Sequence, residues 1–454
     1  MKGVYLLMRK IILTVLAFAL LQLPAVVLAA VNVRGENGPG DMIRVGLWTN
    51  QSSIILSADT DFLIVDTDSK KVLAKFAAKD KVAVSAKGKI LINAKAVTGR
   101  SISLQPGNYK TGIEVNKRHY RGTITVFLPQ GKDGLTVVNT LPVEQYLYGI
   151  IAKEISPGWP LEAIKAQAVA ARSYALANKN KHGREGFDVC ATTDCQVYGG
   201  MESENIKSNR AVDDTYGQVL VYKGRVISGY FHSSAGGYTE NSENVWGTAY
   251  PYLRAVPDFD QGTPNFSWEQ RVTADELQGV LQRAGYTIGK LTALELSPLS
   301  AAPIANSIDR GISGRVKSIL LIGDRGSANL TGIQFRSLLG LRSTLFDIEI
   351  ITPNDKKIEV RITDSAGDRE IKEIPINLPP TKQKGFLLDR GNVHHLSGRP
   401  NEVIVINGFG SGHGVGMSQW GAKVMAEKAP QNNTTYFKTI LQHYFQGVEI
   451  KKIY

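Results

Sequence analysis

Two ionisable residues stand where the sequence pattern asks for apolar ones. Residues 141–178, LPVEQYLYGIIAKEISPGWPLEAIKAQAVAARSYALAN, read as two helices joined by a tight turn at Ser156-Pro157-Gly158. Stepping 100° per residue from Val143, the side chains of Tyr146, Leu147, Ile150 and Ile151 fall on one stripe, and Glu154 falls on it too. In the second helix Leu161, Ile164, Ala168 and Ala175 share a face, with Arg172 in its middle. A carboxyl held against apolar walls, near an indole such as Trp159, has a raised pKa and can serve as a general acid. The N-terminus of the second helix pulls the other way. The structural alternative is a buried ion pair holding the two helices in register. In an antiparallel hairpin, however, Arg172 lies roughly 18 Å along from Pro160. That spacing speaks against direct contact, so each charge needs a partner from elsewhere.

Three further stretches carry residues capable of chemistry. Gly408-Phe-Gly-Ser-Gly-His-Gly-Val-Gly416 places glycines at alternate positions around His413. Such alternation permits positive φ or close approach to a ligand, and no Gly-Lys-Ser/Thr follows to make it a nucleotide loop. A tight turn with His413 packed inside is the plainer reading. His232-Ser-Ser-Ala-Gly-Gly237 holds half of a nucleophile elbow: Ser234 has Gly236 after it but His232 before it. A polar loop at a strand end, facing a cleft, describes it better. Cys190 and Cys195 are the two cysteines, and in an oxidising compartment a disulfide between them is the default. His182 upstream and the adjoining Asp194 make a zinc site of His, Cys, Cys and carboxylate the alternative. His394-His395 reads as surface.

The elements that must position these residues follow from patterning. Lys2, Arg9 and Lys10 precede an apolar run from Ile11 to Leu23 and small residues near Ala29, the order of a secretory signal. The protein is therefore expected in the periplasm or cell wall, or membrane-anchored if the signal is not cleaved. The net charge is +12 and its positives are scattered, which suits a polyanionic wall surface and argues against nucleic acid as partner. Residues 30–41 form a linker, and 42–128 show short alternating runs that predict a β-rich N-terminal domain. The helical hairpin with mixed strands, 129–266, forms the core expected to be catalytic. An α/β insertion over 267–351 and a polar segment over 352–402 with little periodicity follow. Residues 403–454 return to the core as a strand, the glycine-rich loop and helices. The class is α+β.

These motifs, in this order, resemble the stage II sporulation protein D family, which includes amidase-enhancer proteins. The likeness rests on Leu-Pro-x-Glu-x-Tyr-Leu-x-Gly149, Lys153-Glu154-Ile-Ser-Pro-Gly-Trp-Pro160, the run from Leu161 to Tyr174 and the Cys190 to Tyr198 loop. Phe231 to Gly237, Gly340 to Phe346 and Gly412 to Ala422 extend it. The resemblance implies a lytic transglycosylase acting on peptidoglycan glycan strands, best known on strands stripped of stem peptides. Its acid matches Glu154 and an important arginine matches Arg172. His232, Ser234, His413 and Gln419 join Arg172 as candidates for gripping sugar hydroxyls or the lactyl carboxylate. No cofactor is required. Some members bind zinc through the cysteine loop, where a frequent histidine is replaced here by Asp194. Two other classes stay open: a non-catalytic wall-binding partner of a cell-wall amidase, and, more remotely, a serine hydrolase using Ser234.

Overall fold

The computed structural model describes residues 41–454, other than 109, 110, 306, 353–356, 364–368, 376–380, 383–391 and 400. Residues 352, 357–363, 369–375, 381 and 382 are described as backbone only. The expected export signal and residues 30–40 of the linker lie outside the described residues.

Alternating apolar residues build two antiparallel layers on the N-terminal side. In the first, strand Met42–Gln51 pairs with Leu135–Pro142, and Thr123–Phe127, Ser101–Pro106, Phe62–Asp66 and Val72–Phe76 follow in order. The second runs through Arg118–Tyr120, Ile113–Val115, Ser53–Ala58, Val82–Ala86, Ile90–Ile92 and Lys95–Ala96. Ile43, Val45 and Leu141 of one sheet and Ile54, Leu56 and Val84 of the other meet in a single apolar core. Strand Leu135–Pro142 thus belongs to this β layer and delivers the chain straight into the helical hairpin.

Helix α1 (Val143–Glu154) begins after Pro142, whose φ of −58° is already set for the turn, and the Val143 N–H donates to the Asp41 carbonyl. It ends when Ile155 turns extended. Helix α2 (Leu161–Ala177) starts after Pro160 in the same manner. Tyr146, Leu147, Ile150 and Ile151 are fully buried in the core that the two sheets share. Truncating any one of them would cost about 2–5 kcal/mol. The opposite face of α2, with Ala163, Ala166, Val169 and Ala170, packs on a second core shared with the C-terminal helices.

Helix α3 (Ile206–Asp214) is capped by the Asn205 side chain, which accepts from the Lys207 N–H. Strands Gln218–Tyr222 and Arg225–Val226 turn over Lys223 and Gly224, both at positive φ (47° and 77°), as a tight hairpin requires. The expected single strand from Arg225 to Phe231 is broken. Gly229 lies against the α2 backbone, where a Cβ would come within 2.5 Å of the Ala170 carbonyl. The chain then resumes as Phe231–His232, parallel to Met417–Ser418. Short helix α4 (Ser242–Trp246) follows.

The inserted region has its own core. Helices α5 (Ala274–Arg283) and α6 (Gly332–Leu339) each start with a full capping box, Thr273 with Glu276 and Thr331 with Gln334. Strand Val403–Phe409 lies between Ser267–Thr273 and Phe346–Thr352, so the C-terminal segment passes through the insertion before reaching the core. The polar segment is not featureless. Lys357–Thr363 and Arg369–Pro375 form an antiparallel hairpin, and Val393–His395 pairs with Leu291–Glu295. Ile358, Val360 and Ile362 alternate with polar residues along the first of these strands, a short period that the polar composition around it masked in the sequence. Helices α7 (Gln419–Glu427) and α8 (Phe437–Tyr444) and strand Glu449–Lys452, paired with Gln218–Val221, complete the chain. The architecture is α+β.

A candidate active site around Glu154

Glu154 is the last residue of α1, a helix whose other buried positions are apolar apart from Glu144 in its first turn. It lines a cavity of about 290 Å³ together with Tyr174, Tyr230, Trp246, His413 and the Thr193–Val197 stretch. Burial pushes its carboxyl above the ordinary carboxylate range, and a Val197 N–H donating at 3.4 Å offsets part of that rise. The C-terminal position on α1 acts in the same direction as burial, since the helix end there carries partial negative charge. The indole that meets the cavity is Trp246 rather than Trp159, which packs against Trp420 at 4.8 Å between ring centres.

An aromatic wall runs along the cavity. Tyr174 meets Tyr230 at 5.6 Å, Tyr230 meets Trp246 at 4.6 Å, and Trp246 meets His413 at 5.1 Å. Tyr174 comes from α2, Tyr230 from the broken strand, Trp246 from α4 and His413 from the glycine-rich loop. Gly410, Gly412, Gly414 and Gly416 all take positive φ, as the alternation anticipated. At Gly414 a Cβ would lie 2.0 Å from the Arg315 Nε, and the buried Arg315 guanidinium donates to the carbonyls of Ala235 and Gly412. The loop is thus clamped from behind. His413 accepts the Val415 N–H at Nδ1 (3.1 Å), which leaves its proton on Nε2. Burial, with Arg315 adding to it, holds its pKa down at about 4, so the ring is neutral at physiological pH.

The remaining candidates from the sequence lie elsewhere. Arg172 is fully buried and does not reach the cavity. It grips Glu144 with two hydrogen bonds, of 2.8 and 2.6 Å, and donates to the carbonyls of Gln218 and Val212. Its partner therefore sits at the start of α1, which the antiparallel hairpin brings beside the far end of α2. Ser234 is buried and donates to the Asp260 carboxylate, which also accepts the N–H groups of Gly236 and Gly237. It is fully buried and does not line the Glu154 cavity. His232 lies beneath His413, 5.3 Å between rings, and its Nδ1 faces the Val415 carbonyl at 3.2 Å. Gln419 donates to Gln167 and stays buried. Of the six, Glu154 and His413 line the cavity. Tyr174, Tyr230 and Trp246 escaped sequence reasoning because no spacing rule joins three separate elements.

The cysteine loop supplies the cavity's other wall. Cys190 and Cys195 are not joined in this structure, where the sequence made a disulfide the default. Each sulfur is turned toward other groups: Cys190 Sγ toward Thr192 Oγ1 (3.3 Å) and Cys195 Sγ toward His182 Nε2 (3.4 Å). His182, Cys190, Asp194 and Cys195 bring one donor atom each within 4.8 Å of one another. Asp194 Oδ2 lies 3.1 Å from His182 Nε2, 3.7 Å from Cys190 Sγ and 3.9 Å from Cys195 Sγ. Donors around tetrahedral zinc sit roughly 3.3–3.8 Å apart. The Asp194 and Cys195–His182 contacts approach that spacing while the set as a whole spreads to 4.8 Å, and its donor types suit that ion. Glu185 holds His182 Nδ1 at 2.7 Å, as an outer carboxylate does behind a ligating imidazole.

A family model described as stage II sporulation protein matches residues 131–222, which span α1, α2 and the cysteine loop. An uncharacterized protein of Brachyspira hyodysenteriae is 33% identical over 340 residues, covering 75% of this chain and 74% of the relative. The amidase enhancer of Bacillus subtilis is 30% identical over 369 residues, 80% of this chain but 48% of the relative, so the chain spans about half of that protein. Stage II sporulation protein D of Bacillus amyloliquefaciens is 28% identical over 383 residues, covering 79% and 89%. With the family model centred on the hairpin that carries Glu154, and relatives matched along most of the chain, the protein belongs to the stage II sporulation protein D and amidase-enhancer family.

Proposed function

We propose that the protein is an exported lytic transglycosylase that cuts peptidoglycan glycan strands, with Glu154 as general acid and then general base. The observation that carries the reading is a carboxyl with a raised pKa in a cavity walled by aromatic rings. A protonated Glu154 delivers its proton to the glycosidic oxygen as positive charge develops at the muramic acid anomeric carbon. The muramic C6 hydroxyl then attacks that carbon while Glu154, now a carboxylate, takes the hydroxyl proton. One bond breaks, one forms, and a 1,6-anhydro end results with no water consumed. Ordinary glycosidases need a second carboxylate to activate water or to form a covalent intermediate. The other carboxylate on the cavity wall, Asp194, is turned toward His182 and Lys181. Tyr230 and Trp246 offer flat apolar faces suited to pyranose rings.

His182, Cys190, Asp194 and Cys195 would hold a zinc ion as a closed four-ligand site, which suits a structural role. Purified strands stripped of stem peptides test the reading. Wild type should release fragments ending in 1,6-anhydromuramic acid, each lacking the mass of one water. Glu154→Gln should reduce the rate at least ~100-fold, because the amide keeps the shape and cannot supply the proton. The name of the Bacillus subtilis relative favours a second reading, a wall-binding partner that stimulates an amidase. Strand binding without cleavage, with a rise in amidase activity, would establish that role instead.

A further inference from the structure

A second cavity, of about 1070 Å³, lies away from Glu154 on the outer face of the first N-terminal sheet, which strand Val189–Cys190 extends to seven strands by pairing parallel to Met42–Gln51. Its floor carries the hydroxyls of Thr125, Thr136 and Thr140, which alternate along their strands with inward residues such as Ile124, Val137 and Leu141. Cations ring it. Arg44 is paired with Asp188 at 2.8 Å. Arg100 spends its guanidinium on the carbonyls of Leu128 and Pro129. Arg100, Lys132 and Arg184 are exposed and make no ion pair with any described residue. The one lining carboxylate, Glu185, is already held by His182.

Three uncompensated cations over a floor of hydroxyls match a polymer that presents sugar hydroxyls and regularly spaced carboxylates. We infer that this groove binds a second stretch of carboxylate-bearing glycan strand, separate from the stretch at Glu154. The inference rests on the glycan substrate proposed above, whose stripped strands carry a lactyl carboxylate on every muramic unit. Different stretches of one loop border the two sites. Gly183 to Gly186 border the groove, and the same loop continues through Cys190 and Cys195 to Val197, whose N–H donates to Glu154. A strand seated in the groove therefore rests on the loop whose later stretch forms one side of the Glu154 cavity.

The test combines Arg100→Glu, Lys132→Glu and Arg184→Glu in the full-length chain, all at exposed positions. Binding is measured on a Glu154→Gln background so that the strand survives. Long stripped strands should bind the triple variant about ten-fold more weakly, as three reversed surface charges imply. Strands with amidated carboxylates should bind the unreversed protein as weakly. With Glu154 restored, cleavage of fragments too short to span both sites should proceed at the wild-type kcat/KM. Undiminished binding of long strands by the triple variant overturns the inference, and so does equal binding of amidated strands. Preferential binding of a phosphodiester wall polymer at these residues overturns it as well. If wild type cuts no strand yet binding still depends on the three cations, the groove stands and the transglycosylase reading falls.

Discussion

At the scale of single residues, Glu154 and Arg172 share one sequence signature and have opposite fates. Both interrupt an apolar stripe, yet Arg172 has a bidentate partner in Glu144 while Glu154 has one weak N–H. The difference has a thermodynamic consequence. A carboxyl whose pKa is raised on folding contributes stability that is fully present below its unfolded pKa, about 4.3, and is lost as pH rises through the folded value. At neutral pH Glu154 therefore costs stability, and Glu154→Gln removes that cost. The variant should melt at a higher temperature than wild type at pH 7, and the gap should close as pH falls to about 4. Thermal melts across that range check the sign, and a gap independent of pH would mean that Glu154 is not buried in its protonated form. The inactive variant would then be the more stable protein, a trade common where a site holds a strained or desolvated group.

At the scale of elements, the loop from His182 to Val197 links the donor cluster, the cavity wall and the only hydrogen bond from the described residues to the Glu154 carboxyl. Buried Phe187 and Val189 and the pairing of Val189–Cys190 with strand Met42–Gln51 hold the first half of this loop. Residues 191–195 are half-buried or exposed and are the part a cross-link would hold. One zinc per chain is expected in protein purified without added metal, measured by elemental analysis. Chelation or Cys195→Ser should lower the melting temperature and reduce cleavage together, since the Val197 N–H loses its anchor. Metal-free protein with a Cys190–Cys195 disulfide would return the loop to the pairing expected from sequence. The glycine-rich loop is held differently, by the Arg315 clamp against Ala235 and Gly412.

At the scale of the whole molecule, Glu144 and Arg172 staple distant parts together. Arg172 reaches the end of α3 and strand Gln218–Tyr222, and Glu144 accepts from the Gly217 N–H and the Tyr454 hydroxyl. Removing one member leaves the other charge buried and unpaired. Arg172→Met should cost about 3–5 kcal/mol, read by urea denaturation. Cleavage by the remaining folded protein should keep a kcat/KM close to wild type. A loss of turnover with unchanged stability would instead return Arg172 to the substrate.

The sequence by itself determined the helical hairpin, the prolines that open its helices, the glycines at positive φ and the α+β class. All of these are local consequences of periodicity and backbone sterics. It also singled out Glu154, because an ionisable residue on an apolar stripe is visible without knowing its neighbours. Tertiary structure alone decided the partners. Glu144 lies 28 residues from Arg172, and Asp260 lies 26 from Ser234. Trp246 and His413 meet across more than 160 intervening residues, a separation no spacing rule spans. The same holds for the cysteines: the pattern allowed a disulfide or a metal site, and the folded path of the loop turned both sulfurs toward His182 and Asp194. Side-chain chemistry is written in the chain, but whether a charge is paired, exposed or left in a cavity depends on what packing brings to it.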